Sequence, residues 1–152
     1  MNTRTIAEAY ARALDLGLLS PEVVTRWIDA SILVEASPLP ELCVASTITD
    51  PEDLATALRH IPGEVESDEA HRLLFGHMLQ ALVEEKASAK CVASELFRMA
   101  MADEVPNPAA QGPMFTFYDD LDLAHLGHIG DRDYDAILNE LCEFLESQRD
   151  GG

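Results

Sequence analysis

Two histidines three residues apart, His125 and His128, stand just ahead of Asp131 and Asp133. Imidazole and carboxylate side chains at such spacing on one helix face would hold a metal ion. Gly127 falls between the histidines, and a glycine there ends a helix, so the pair does not share a regular face. Solvated or loop-bonded imidazoles are the reading preferred. Asp131-Arg132-Asp133-Tyr134-Asp135 partly follows a calcium loop, but the glycine and the distal bidentate glutamate are misplaced. The three cysteines, Cys43, Cys91 and Cys142, are far apart and odd in number, and no CxxC or CxxH pairing exists. They read as reduced thiols buried among apolar neighbours, not as a disulfide framework or a zinc site. His77 lies in an apolar stripe and reads as a buried neutral imidazole; His60 and His71 carry no pattern. GxSxG, GxxxxGK, GxGxxG and HExxH are all missing from the sequence. Acidic pairs are too abundant for any one to mark a hydrolase. The expectation is a chain with no catalytic residue, no metal and no cofactor.

Charge is the more informative property. The 152 residues include 28 Asp and Glu against 10 Lys and Arg, a formal charge of −18. Phosphate backbones and anionic bilayers repel such a surface, so neither nucleic acid nor a membrane is an expected partner. Residues 50–69 and 119–150 contribute −6 and −8 of that charge. A solvated, solubilising surface explains part of this excess. An acidic face that docks a basic protein explains it as well, because complementary potentials steer association. The carboxylates singled out are Glu64, Glu66, Asp68, Glu69, Asp119, Asp120, Asp122, Asp131, Asp133 and Asp135. Phe117 and Tyr118, if exposed, would add the apolar anchors that interfaces need.

The elements that must position these groups are helical. Apolar residues recur at a period close to 3.6 nearly everywhere. A first stripe holds Ile6, Ala9, Tyr10, Ala13 and Leu14, and Gly17 suits the left-handed position that ends it. Ser20, Pro21 and Glu22 start a second helix that carries Val24, Trp27 and Ile28. Pro38 and Pro40 interrupt it before a short helix with Leu42, Cys43 and Ser46 on one side. Asp50-Pro51-Glu52-Asp53 opens a fourth helix, with Leu54, Ala57, Leu58 and Ile61 inward. Ser67-Asp68-Glu69 opens a fifth, with Phe75, Leu79 and Val83 forming a second apolar face. Near Glu84-Glu85-Lys86 the fifth helix either breaks or kinks into a sixth, which carries Val92, Leu96, Phe97, Met99 and Ala100 inward. Residues 105–118 hold Pro106, Pro108, Gly112 and Pro113 and read as an irregular loop whose aromatics seal a core. A short helix follows near 120–126, and a regular last helix carries Tyr134, Ile137, Leu138, Leu141, Cys142 and Leu145. The sum is an all-α single domain, residues 1–152, of seven or eight mostly short helices arranged as stacked antiparallel hairpins.

GLLSPEVVTRWIDASI and FYDDLDLAHLGHIGDRDYDAILNELCEFL resemble small acidic all-helical bacterial proteins of the toxin-immunity type. The shared pattern is a loop aromatic, an Asp-rich turn, a Leu-Ala dipeptide, a glycine-bounded turn and a last helix ending in Phe-Leu. Phe117, Asp119, Asp120, Leu123, Ala124, Gly127, Gly130 and Phe144-Leu145 carry it. The resemblance implies an immunity protein that binds a cognate toxin and occludes it, with no assigned catalytic residue. Two alternatives stand beside it: a helical adaptor or chaperone-like protein with an apolar peptide groove, and a small metal-dependent enzyme built on His125 and His128. The N-terminal stretch has no continuous apolar run, since Glu8 and Asp15 interrupt it, so a cytoplasmic protein is expected, monomeric because like charges oppose self-association.

Overall fold

The computed structural model describes residues 2–125 and 133–151. Among these residues there are eight helices and no strand. They are α1 (Thr3–Asp15), α2 (Pro21–Val34), α3 (Pro40–Ala45), α4 (Pro51–Arg59), α5 (Ser67–Val83), α6 (Ala89–Met101), α7 (Pro108–His125) and α8 (Tyr134–Arg149). No described helix is long and apolar enough to cross a membrane. The chain divides into two compact units, Met1–His77 and Met78–Gly152, and α5 contributes residues to each.

In the first unit α1 packs on α4, and α3 packs on both α2 and α4. The core joins Ala7, Ala11 and Leu14 to Val24, Ile28, Leu42, Leu54, Leu58 and Ile61. The α1 stripe facing this core is therefore Ala7-Ala11-Leu14, while Ile6 and Tyr10 are half-buried. Small side chains win there because alanine lets a neighbouring backbone come close. Ala9 and Ala13 are also fully buried, so α1 is enclosed on more than one face. Gly17 is left-handed (φ 70°), as expected. Leu18 N–H donates to the Ala13 carbonyl at 2.9 Å and Gly17 N–H to Leu14 at 3.0 Å, the paired bonds of a Schellman stop.

Several starts behave as the sequence implies. The Asp50 carboxylate accepts from Asp53 N–H at 3.0 Å, and Pro51 takes the first helical position. Ser20 stands at the α2 cap position without capping it. Glu22 is held below the usual carboxylate range by its own backbone N–H and then by the Ser20 hydroxyl. Cys43 departs from expectation: the short α3 buries Leu42 and Ala45, one and two positions away, and leaves Cys43 exposed.

The α1 start also anchors a distant loop. Asn2 Oδ1 accepts from Thr5 N–H at 2.8 Å and from the Thr5 hydroxyl at 2.9 Å. Thr5 Oγ1 in turn accepts from Glu66 N–H at 2.9 Å, and Asn2 Nδ2 donates to the Glu64 carbonyl at 3.1 Å. Thr5 is fully buried, so these bonds replace water at both ends of the segment.

In the second unit α7 packs on α6 and on α8. Contacts run Lys90 to Asp122, Phe97 to Phe115 and Ala100 to Gln111, so α6 and α7 are antiparallel. Asn107 to Gln148 and Phe117 to Phe144 give α7 and α8 the same relation. The stretch expected as an irregular loop, 105–118, is a correction: from Pro108 onward it is helical, with Pro113 inside α7. Pro108 begins the helix, where its missing N–H costs nothing, and the Asn107 side chain accepts from Ala110 N–H at 3.0 Å. Pro113 forfeits an interior bond, at about 3 kcal/mol. Against that, Ala110, Met114, Phe117 and Leu121 recur at helical spacing and are all buried. Each of the three larger side chains stabilises by about 1.5–3 kcal/mol on burial, so the stripe outweighs the proline.

Of the two alternatives near Glu85, the chain takes the break: α5 ends at Val83 and α6 begins at Ala89. Glu85 is left-handed (φ 56°), and Lys86 N–H closes onto the Ala81 carbonyl at 2.8 Å. Asp103 (φ 57°) ends α6 similarly, with Glu104 N–H on the Met99 carbonyl at 2.8 Å. Three expected core positions turn outward: Val83, Phe97 and Tyr134 are all exposed. Cys91 is exposed and Cys142 half-buried, so the picture of three buried thiols fails. On α8 the buried row is Ile137-Leu141-Leu145, and Cys142 sits beside it.

Two substitutions test these devices. Thr5→Val keeps the shape but strands Glu66 N–H, and is expected to lower unfolding free energy by about 1–3 kcal/mol in urea titrations. Glu85→Gly relieves the left-handed side chain and is expected to raise stability by about 1 kcal/mol in the same measurement.

Candidate functional site

The second unit presents the features closest to a binding site, and helix ends place them. The Ser88 hydroxyl accepts from Cys91 N–H at 3.0 Å and starts α6. At the other end Gln111 Nε2 donates to the Ala100 carbonyl and to Asp103 Oδ1, both at 3.0 Å. These bonds hold α6 and α7 in register. Lys90 Nζ closes the opposite end on Asp122 Oδ1 at 3.0 Å and lies 5.2 Å from the Tyr118 ring centroid. Asp122 raises the Lys90 pKa, first by accepting its hydrogen bond and then by its charge.

Between these ends the hairpin leaves an aromatic seam. Phe97 and Phe115 meet edge to face with centroids 5.6 Å apart. Ser94, Phe97, Tyr118 and Asp119 line a small open depression of about 220 Å³. Asp119 is exposed and Tyr118 half-buried. Phe117 points the other way: it is 6% exposed and stacks on Phe144 at 5.4 Å. It is a core residue because α7 is helical there, and adjacent positions on a helix face different directions. The anchor role expected of Phe117 is therefore withdrawn.

The other carboxylates serve varied duties. The Asp133 carboxylate accepts from Ala136 N–H at 2.8 Å as the α8 cap, and Asp135 is exposed in the first turn. Asp120 is half-buried on α7. In the first unit Glu64, Glu66 and Asp68 are exposed, with the backbones of Glu64 and Glu66 tied to Asn2 and Thr5. Glu69 accepts from Arg72 at 2.7 Å. Asp68 and Glu69 stand in the first turn of α5, where negative charge complements the helix dipole. Asp131 and His128, with Gly127 and Gly130, lie outside the described residues, as does the side chain of His125. Among the described residues no three His, Cys, Asp or Glu side chains gather as metal ligands would.

Phe97, Ser94 and Lys90 are the seam residues that sequence reasoning missed. Lys90, Ser94, Phe97 and Met101 recur at i, i+4, i+7 and i+11, a readable stripe on α6. Its mixture of lysine, serine and apolar residues gives no sign of which way it faces.

His77 is packed against Tyr10, with ring centroids 4.8 Å apart, and Tyr10 against Trp27 at 5.0 Å. Burial lowers the His77 pKa from 6.5 to about 4 and raises that of Tyr10. The neutral imidazole anticipated from the apolar stripe is thus the favoured form.

No protein family, no curated protein and no solved structure matches this chain.

Because His77 binds its proton less readily when folded, acidification favours the unfolded chain. Stability from this residue is complete above about pH 6.5, declines as pH falls toward 4 and then levels off. The loss is on the order of 3 kcal/mol. Urea titrations across that range should show it as a difference between the native chain and His77→Gln. Parallel curves would contradict it.

Proposed function

We propose that this chain is a non-catalytic acidic binding protein for a cationic partner, acting as an immunity protein that occludes a toxin. The observation that carries this reading is how the few cations are used. Arg4, Arg59, Arg72, Lys86, Lys90, Arg98 and Arg149 each lie within 4.0 Å of a carboxylate of the same chain. Arg59 engages both Glu8 and Asp15, and Arg98 both Glu95 and Glu104. With these seven of the ten cations engaged internally, most of the charge offered to solvent is excess carboxylate. Asp119, Asp133 and Asp135 in one unit, and Glu64, Glu66 and Asp68 in the other, are exposed members of that excess. Such a surface accelerates encounter with Lys- and Arg-rich proteins and repels the nucleic acids that basic nucleases bind. Occlusion then needs no chemistry from the chain, only a partner whose working face is basic.

The test is co-expression and kinetics. A protein captured from source-cell extract on the immobilised chain should be basic and should arrest growth when expressed alone. Co-expression of the chain should restore growth. With the purified pair, raising ionic strength about tenfold should slow association by an order of magnitude or more and change dissociation less. A neutral or acidic partner, or an association rate indifferent to salt, would overturn the proposal. Stoichiometric zinc or iron in the purified chain would favour the metal-dependent enzyme instead.

A further inference from the structure

We infer that the α6–α7 seam is the docking site for an arginine-bearing amphipathic helix of the partner, and that Lys90 is an internal stand-in which the partner's arginine displaces. The inference rests on the proposed function, because it names the surface by which a cationic protein would be held.

The first argument is apolar exposure on a straight track. Phe97 is 38% exposed and Met101, one turn further on α6, is 67% exposed. From α7, Phe115 meets Phe97 edge to face and Tyr118 shares its depression, and both are only half-buried. Two antiparallel helices leave a groove parallel to their axes, the shape that takes the i, i+4, i+7 anchors of a third helix. The depression at Ser94, Phe97, Tyr118 and Asp119 admits one side chain from such a helix.

Charge decides the occupant. Arg98 is engaged by Glu95 at 2.7 Å and Glu104 at 2.8 Å, and Lys90 by Asp122. Asp119 at the depression is exposed. The groove therefore presents apolar surface edged by carboxylate, and its complement is apolar surface edged by cations. A second copy of this chain would set Asp119 and Asp122 against like charges in a molecule of charge −18.

Lys90 shows which group the site accepts. Its ammonium lies over the Tyr118 ring and against Asp122, and an aromatic face beside a carboxylate is a cation site. Lys90 and Asp122 are both about half exposed, so their bond is weak and exchangeable. Guanidinium stacks on a phenol ring and forks onto a carboxylate better than ammonium does, so arginine from a partner competes successfully.

The experiment uses the full chain, isotopically labelled, and a synthetic helical peptide with leucines on one face and arginines at its edges. Lysine and glutamate versions of the peptide serve as controls. The expected result is shifts in the signals of Ser94, Phe97, Tyr118 and Asp119, with the arginine peptide binding most tightly and the glutamate peptide not binding. Phe97→Ala and Tyr118→Leu should each weaken binding about three- to tenfold. Lys90→Met should tighten it about twofold or more, by freeing Tyr118 and Asp122. Met101→Ser, at a more exposed position, supplies a second weakening variant should Phe97→Ala unfold. Shifts confined to α2 and α3, equal affinity for native and Tyr118→Leu chains, weaker binding by Lys90→Met, or dimerisation through the seam would each overturn the inference. A natural cationic partner that ignores Phe97→Ala and Tyr118→Leu would overturn the seam and leave the proposed function standing. Equal binding of arginine and glutamate peptides would overturn both.

Discussion

Closing the ends of short helices is the constraint on which this structure depends. A helix of six to eighteen residues leaves a large share of its backbone donors and acceptors at its termini. Side-chain caps from Asn2, Asp50, Ser88 and Asp133 meet the donors. Left-handed turns at Gly17, Glu85 and Asp103 meet the acceptors. The caps do more than terminate. Asn2 and Thr5 tie α1 to the segment before α5, and Asn107 reaches Gln148 of α8 at 3.1 Å. Local closure and tertiary linkage are performed by the same side chains, so losing one costs both.

This constraint also sorts the acidic residues. Some carboxylates stand at helix starts, where the dipole favours them, as Glu22, Glu41, Glu52, Asp53, Asp68, Glu69 and Asp135 do. Others neutralise the chain's own arginines and lysines. A helix start needs only one or two negative groups, and the cations number 10 against 28 acids, so a surplus must face water. Self-repulsion of that surplus opposes folding, and a cationic partner would relieve it. The link between fold and proposed function is therefore electrostatic. The α6–α7 hairpin adds what charge alone lacks, an aromatic surface beside an exposed carboxylate.

Much of the helical pattern was legible. The Gly17 stop and the Asp50-Pro51 start follow from local chemistry, because caps and dipoles act within one turn. The failures have a common physical origin. Pro113 argues against a helix when judged alone, yet the stripe Ala110-Met114-Phe117-Leu121 was present in the same residues, and burial outweighed the proline. Hydrophobicity ranks Ile6 and Tyr10 above Ala7 and Ala11, while close helix packing selects the small residues. Cys43, Cys91 and Phe97 read as inward from sequence because an apolar residue flanked by other apolar residues fits a core from either side.

By itself, then, the sequence determined an all-helical chain, the positions of most helix starts and stops, and a formal charge of −18. These are properties of composition and of neighbours a few residues apart. Tertiary structure alone decided that Phe117 lies inside while Tyr118 edges a surface seam, that Lys90 meets Asp122 across two helices, and that Arg59 of α4 meets Glu8 and Asp15 of α1. Each depends on how one helix is rotated about its axis against another, and that angle is set by packing between residues distant in sequence.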